Sequence, residues 1–223
     1  QEGLNGRRLF MPRGKTLGGS SAINAMIYIR GHRSDFDHWS DLGNPGWNYA
    51  DVLPYFRRSE DYMDGMDAYH GEGGGLTVSR GRYPHPVGEA FIQAAECRGH
   101  ERNPDFNGAH QSGFGRYHVN IREGKRCSSA VAFLNPVLDR PNLDVLTGAL
   151  ASRLILEGSR VSGIAYRKGG YEERVAVSGE VVLAGGALNS PQLLMLSGIG
   201  PAEHLAEHGI TVQQHMPGVG AML

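Results

Sequence analysis

Two glycine-rich clusters in this sequence place backbone groups where they can hold a ligand. The first, residues 14–24, carries Gly18-Gly19 directly ahead of Ser20-Ser21 and ends at Asn24. Successive backbone N–H groups at a helix start can receive an anion or the polar edge of a cofactor. A tight turn in which Ser20 or Ser21 caps an ordinary helix explains the same residues equally well.

The second cluster is Gly185-Gly186, between the apolar run Glu180–Ala184 and a helix predicted to begin with Ser190 as N-cap and Pro191 in its first turn. Dinucleotide-binding folds use this order of buried strand, glycine turn and helix. The full G-x-G-x-x-G fingerprint is absent from the chain, however. From these residues alone, close packing of strand against helix is the preferred interpretation.

Ten histidines raise the question of a metal site. His204 and His208 are four residues apart on a predicted helix and share a face, as zinc ligands can. No acidic third ligand is expected beside them, and their face points away from the apolar Leu205. We therefore interpret them as solvated surface residues and predict no metal site.

The elements that must position the clusters are a mixture of helices and strands. Before residue 140, the pattern predicts helices at Tyr49–Arg58, at 87–95 and from Ser128 or Ser129 to Val137, and a strand at Leu76–Val78. Later residues predict strands at Leu143–Thr147, Leu150–Leu156, Val161–Tyr166 and Tyr171–Val177, the last two joined by a turn at Gly169-Gly170, and a short helix from Pro201 to Gly209. This order indicates a mixed α/β or α+β layered protein.

Composition excludes several classes of protein. The chain has 223 residues and a formal net charge of −1, so nucleic acid is not expected as a partner. Cys97 and Cys127 are isolated, which suits a reducing compartment and leads us to expect a cytoplasmic location. The sequence has no run of about 18 apolar residues, so membrane association is not indicated. Glycine, at 33 residues, is about twice as frequent as the roughly 7% average, which fits sharp turns or close approach to a ligand.

Two long stretches carry a resemblance to a known family. Residues 11–31, Met-Pro-Arg-Gly-Lys through Gly-Gly-Ser-Ser-Ala-Ile-Asn-Ala-Met-Ile-Tyr-Ile-Arg-Gly, and residues 186–200, Gly-Ala-Leu-Asn-Ser-Pro-Gln-Leu-Leu-Met-Leu-Ser-Gly-Ile-Gly, resemble the two signatures of the glucose-methanol-choline (GMC) oxidoreductases. Asp105-Phe106-Asn107-Gly108 between them also follows the family's order. The resemblance covers essentially the whole chain and favours a ligand site at both glycine clusters.

The resemblance implies an FAD enzyme that oxidises a small-molecule alcohol, close to the choline- and alcohol-dehydrogenase-like members. In the family, the flavin accepts a hydride while a histidine base removes the hydroxyl proton. The resemblance further implies that the chain contains part of a Rossmann-like FAD-binding domain (residues 1–60 and 143–223) and part of a substrate domain (residues 61–142). The residues expected at the FAD are Gly14, Gly18, Gly19, Ser20, Asn24, Ala25 and Ile27, together with the backbone of Ala151 at the adenine.

Departures from the family pattern refine these expectations. Some members link FAD covalently to a histidine at the position of Asn24, so non-covalent FAD is expected here. The family's catalytic histidine is expected C-terminal to this chain, which we interpret as an internal fragment without a catalytic residue of its own and inactive alone. Met222 stands where relatives carry Asn. A non-catalytic or degenerate protein that keeps the fold is the alternative, and the electron acceptor is not indicated. Arg126, Ser128 and Ser129 are expected either to face the flavin region or to form a helix cap with a surface charge.

Overall fold

The computed structural model describes residues 5–221 and divides them into two compact units, residues 5–143 and residues 144–221. Helices and strands occur in both units, which confirms the predicted mixed fold class. No helix within residues 5–221 is both long and apolar enough to span a bilayer. Met222 lies outside the described residues.

The first unit contains short strands and three longer helices. In chain order they are β1 (Ile27–Tyr28), α1 (Arg33–Asp41), α2 (Tyr49–Ser59), β2 (Glu60–Tyr62), β3 (Leu76–Arg80), α3 (Pro86–Cys97), β4 (His118–Val119), β5 (Ile121–Arg122) and β6 (Lys125–Arg126). Four of the strands form a sheet of order β1-β4-β3-β2, in which only the β2–β3 pair is parallel. β5 and β6 form a separate hairpin. The predicted helices at 49–58 and 87–95 and the predicted strand at 76–78 are confirmed.

Local side chains encode the starts of these helices. The Nδ1 atoms of His32 and His85 accept from the backbone N–H groups of residues 34 and 87, each at 3.2 Å, at the starts of α1 and α3. Asn48 Oδ1 accepts from the backbone N–H of residue 51 at 3.0 Å at the start of α2. Such caps satisfy backbone donors that have no partner within the helix. The long helices of this unit therefore follow from nearby sequence.

The second unit consists of an antiparallel sheet followed by two helices. Its elements are β7 (Leu150–Glu157), β8 (Arg160–Lys168), β9 (Tyr171–Ala176), α4 (Gly186–Leu196), β10 (Ile199–Gly200), α5 (Ala202–Glu207) and β11 (Gln214–His215). The β8–β9 hairpin turns at Gly169-Gly170, where both residues have positive φ, 58° and 89°. Glycine adopts this conformation without a steric penalty. The predicted strands at 150–156, 161–166 and 171–177 are confirmed, as is the short helix after Pro201.

Two predicted strands are wrong. Residues 143–147 and 180–184 are irregular, and the side chain of Val182 is 85% exposed. Apolar composition alone does not make a strand, because a strand also needs a neighbour for its backbone hydrogen bonds. Within the described residues, neither segment pairs with another strand.

Two predicted helix starts are also wrong. α4 begins at Gly186, so Ser190 and Pro191 lie inside the helix. Residues such as Leu188 ahead of Ser190 tolerate an additional helical turn, and the proline removes only one backbone donor. The predicted start near Ser128 or Ser129 is confirmed, because Ser129 is the N-cap of a π-helical turn, Ala130–Leu134. A 3₁₀ turn, Asn135–Val137, follows and accommodates Pro136. The cluster at 14–24 contains only one 3₁₀ turn, Gly19–Ala22, with Gly18 as N-cap.

Candidate functional site

The segment Gly14–Asn24, here called the signature loop, folds back tightly on itself. The N–H of Gly14 donates to Ser20 Oγ at 3.3 Å, and the N–H of Gly19 donates to the carbonyl of Thr16 at 2.9 Å. A Cβ atom added at Gly14 would lie 2.0 Å from the carbonyl oxygen of Gly19. Ser20 therefore closes the loop and does not cap a helix.

The three glycines of the loop differ in their backbone conformation and in the space around them. Gly14 allows the close backbone approach just described, whereas Gly18 has φ of +85° and lies against Ala130, whose Cβ would be 3.2 Å from an added Cβ. Gly19 has φ of +53°, but a Cβ there would meet open space. Of the three, only Gly19 presents backbone that a ligand can approach without displacing protein atoms.

We expect Gly14→Ala to destabilise the whole protein by about 1–3 kcal/mol, because the new methyl group overlaps backbone that cannot move without opening the loop. Denaturant unfolding of the full-length protein measures this change. Gly81→Ala is the matched control, since Gly81 lacks positive φ and has no atom within 4 Å of an added Cβ. Equal effects of the two substitutions would contradict the packing role of Gly14.

Arg126, at the end of β6, holds the far end of the signature loop. Its Nη1 atom donates to the carbonyl oxygens of Ser21 (3.1 Å) and Asn24 (2.8 Å) and to Asn24 Oδ1 (2.8 Å). Hydrogen bonds from a charged donor are stronger than those between neutral groups. Arg126 therefore acts as a clamp across about 100 residues of sequence and is not an isolated surface charge.

Ser129 holds the middle of the loop. The Ser21 hydroxyl donates to the carbonyl of Gly18 at 2.5 Å and accepts from the backbone N–H of Ser129 at 2.9 Å. The Ser129 hydroxyl lies 3.1 Å from the same carbonyl. Because Ser129 makes no side-chain cap to the following helix, its hydroxyl serves the loop. Arg126 and Ser129 thus contact the signature loop, whereas Ser128 Oγ accepts from the N–H of Val131 at 3.4 Å and caps the turn that follows. That Arg126 and Ser129 face the flavin region stays a prediction.

The residues after the loop form a fixed turn with an exposed apolar edge. Asn24 Oδ1 also accepts from the N–H of Met26 at 3.0 Å, and Met26 has φ of +62°, an unusual value for a residue with a side chain. Ala25 is exposed, and Ile23 and Ile27 keep 50% and 46% of their surface exposed. A strained backbone fixed by hydrogen bonds, beside exposed isoleucines, is suited to bind a ligand that has an apolar ring with polar edges.

Ala151 lies in the second unit, on β7. It lines a pocket of about 300 Å³ whose wall is mainly apolar and includes Gly185, Asn189 and Leu193. The pocket thus gathers the second glycine cluster and the strand that carries Ala151. Apolar pockets with a few polar groups are typical of small-molecule sites.

A buried polar network lies next to β1 in the first unit. Glu60 Oε2 accepts from Arg30 Nη2 (2.8 Å) and from the N–H of Gly71 (2.9 Å), and it lies 3.1 Å from His70 Nδ1. The other ring nitrogen of His70 lies 2.9 Å from Asp105 Oδ2. The side chains of Glu60 and His70 are fully buried. In the sequence, Asp105 and Arg30 stand out only as parts of motifs, and no local pattern signals Glu60.

The network changes the pKa values of its members. Burial lowers the pKa of His70, but the hydrogen bonds to Asp105 and Glu60 outweigh burial and raise it to about 9. Burial also lowers the pKa of His118, and it prevails there over the opposing effect of Asp105. Burial raises the pKa of Tyr62, which stacks on His70, to about 12. At neutral pH, His70 is therefore a cation between two carboxylates.

We expect the full-length protein to lose stability as pH rises from about 6.5 to 9. Because the pKa of His70 is higher in the folded state than in the unfolded state, its contribution is complete below pH ~6.5 and disappears above pH ~9. The loss is about 3 kcal/mol. Urea unfolding across this range measures it, with His70→Gln as the comparison. An identical pH dependence in both proteins would contradict the assignment.

The histidine pair near the C-terminus needs one correction. Glu207 Oε2 lies 4.0 Å from His204 Nδ1, so the expectation that no acidic group lies nearby is wrong. The helical spacing of three residues brings the two side chains to one face. The expected exposure of both histidines is confirmed, because Leu205 on the opposite face is the buried residue of α5.

Comparison with known proteins finds sequences similar to this one over nearly the whole chain. The sequence profile of the family described as GMC oxidoreductase matches residues 2–223. Human mitochondrial choline dehydrogenase is 49% identical over all 223 residues, and oxygen-dependent choline dehydrogenase from Rhizobium etli is 48% identical over 220 residues, 99% of this chain. The chain spans only 38% and 40% of these two relatives.

Solved structures agree with the sequence comparison. Pyridoxine 4-oxidase from Mesorbium loti superposes on 92% of this chain with a TM-score of 0.87 and 39% identity. An FAD-dependent oxidoreductase from Chaetomium thermophilum superposes on 98% with a TM-score of 0.89 and 33% identity. The chain covers 41% and 40% of those two proteins.

Proposed function

Because this chain belongs to the GMC oxidoreductase family, we propose that the protein of which it forms part oxidises a small-molecule alcohol with FAD as cofactor. The observation that carries the proposal is the signature loop, held by Arg126 and Ser129 and presenting Gly19 and exposed isoleucines on its open side. Bound FAD would supply the hydride acceptor, turning the alcohol into an aldehyde or ketone. We place no catalytic residue in this chain.

We propose that two parts of the chain hold different parts of FAD. Gly14, Gly18, Gly19 and Ser20 would form the loop along the cofactor, and Asn24, Ala25 and Ile27 would lie by the flavin. The open side of Gly19 and the exposure of Ile27 support this placement. The backbone of Ala151 would contact the adenine, for which the apolar pocket in the second unit offers room.

The task of these residues is to bind and orient. A loop already fixed by hydrogen bonds loses little conformational freedom when a ligand arrives, which favours binding. The exposed side chains of Ile23 and Ile27 would exclude water from one face of the ring system. The chain thus contributes the position of the cofactor.

We propose that FAD binds non-covalently and forms no covalent bond with Asn24. The Oδ1 atom of Asn24 is engaged by Arg126 and by the N–H of Met26, so this side chain serves the turn. Acid precipitation of the full-length protein should release FAD into the supernatant. Yellow colour that stays in the pellet would contradict non-covalent binding.

The choline dehydrogenases among the relatives support an alcohol as substrate. The full-length protein should show flavin absorbance and reduce an artificial electron acceptor when supplied with an alcohol. A folded, colourless protein would overturn the proposal in favour of the non-catalytic alternative. A cytoplasmic location remains a prediction, supported by the two free cysteines, Cys97 and Cys127.

A further inference from the structure

Two side chains of α5 and the side chain of its C-cap residue converge on one point of the surface of the second unit. His204, Glu207 and His208 each offer a ligand atom, and these atoms all lie within 4.8 Å of one another. The ring centroids of the two histidines are 4.6 Å apart. All three residues are exposed. The cluster is separate from the signature loop and from the pocket beside Ala151, neither of which includes these residues.

The backbone beneath the cluster is well held. Leu205, on the opposite face of α5, is 1% exposed and anchors the helix. The helix ends with Gly209 at φ of +68°, where the N–H of Ile210 returns to the carbonyl of Leu205 at 2.9 Å. At the other end, His215 Nδ1 accepts from the N–H of Ala202 at 3.1 Å. The three ligands therefore start from fixed positions and need only side-chain rotation to converge further.

The chemistry of the three groups selects a class of cation. Two imidazoles and one carboxylate suit divalent d-block metals such as Zn²⁺, whereas Mg²⁺ and Ca²⁺ prefer oxygen ligands alone. The order His-x-x-Glu-His also occurs in one class of zinc enzymes. Here the exposed position leaves the remaining coordination sites to water.

We propose that His204, Glu207 and His208 form a surface binding site for a divalent d-block cation. The site is empty in the structure. One cation binds per chain, with the imidazole nitrogens of the histidines and one carboxylate oxygen as protein ligands. Binding does not depend on FAD, so the proposal stands apart from the proposed alcohol oxidation.

Isothermal titration of the full-length protein with ZnCl₂ tests the site. We expect one zinc ion to bind per chain. The substitutions His204→Ala and His208→Ala should each lower zinc affinity at least tenfold, because losing even a residue that only supports a metal ligand lowers affinity roughly tenfold or more. Glu207→Gln should weaken binding as well, since the amide carries no charge. His110→Ala is the matched control, because His110 is also exposed but lies outside the cluster, and it should bind zinc as the parent protein does.

Circular dichroism and the thermal midpoint check that each variant is folded. All three side chains are exposed, and surface substitutions usually alter stability by less than about 0.5 kcal/mol, so we expect each variant to fold. Absence of zinc binding by the parent protein would overturn the proposal. Unchanged zinc binding by a double variant, His204→Ala with His208→Ala, would overturn it equally.

Discussion

Glu60→Ala lowers the free energy of unfolding of the full-length protein by about 3–5 kcal/mol, the largest stability change expected from any single substitution in this chain. The carboxylate is fully buried between the guanidinium of Arg30 and the imidazolium of His70. Its removal leaves two buried cations without their shared partner. The N–H of Gly71 also loses its acceptor.

Denaturant unfolding of the full-length protein measures this loss. Glu72→Ala is the matched control, because Glu72 is exposed and only a short distance along the chain, and its change should stay within about 0.5 kcal/mol. Replacing His70 in the Glu60→Ala background should cost much less than in the parent protein, since the pair acts as a unit. Fully additive effects of the two substitutions would show that the network is not coupled.

Arg126→Met weakens FAD binding by the full-length protein about 10- to 100-fold, the largest change in cofactor affinity expected from a residue that does not itself touch FAD. The substitution removes three hydrogen bonds from a charged donor to Ser21 and Asn24, each worth about 1.5–3 kcal/mol. A loop without its clamp must be ordered when FAD binds, and that cost appears as lost affinity. Flavin fluorescence titration gives the dissociation constant.

Arg116→Met is the matched control for the clamp. Arg116 lies in the same unit and pairs with Glu89 at the surface, so FAD affinity should not change. Visible circular dichroism of the bound flavin adds a readout that general destabilisation would not move. A less stable Arg126→Met protein with unchanged FAD affinity and unchanged flavin signal would mean that Arg126 supports the fold alone.

Helices and turns set by neighbouring residues were the most predictable part of the fold. The helices α2 and α3 and the glycine turn of the β8–β9 hairpin were predicted, and they depend on contacts within a few residues. The helix α1 was not predicted, although its cap at His32 is equally local. The strands β7, β8 and β9, whose partners are neighbours in the chain, were predicted, and so was β3, whose partners are more distant in sequence. The apolar run at 180–184 failed as a strand, because pairing depends on a neighbour that local composition does not contain.

The candidate site divides along the same line. Gly14, Gly18, Gly19 and Ser20 were named from the sequence through the family resemblance, and their contact with FAD stays a prediction. The structure adds a physical reason for glycine at two of these positions, close backbone approach at Gly14 and positive φ at Gly18. The roles of Arg126 and Ser129 stayed open, since their partners lie more than 100 residues away. The spacing of His204 and His208 was visible, whereas the proximity of Glu207 followed only from the geometry of α5.

The sequence by itself determined the family, the glycine-rich signature loop and the starts of α2 and α3, because residue type and short spacing are enough to impose turns and caps. Only the tertiary structure decided that Arg126 clamps the loop and that Glu60, His70 and Asp105 interact in a buried network of charged groups. The energy of such contacts depends on distance, burial and the loss of water, which arise when remote segments meet.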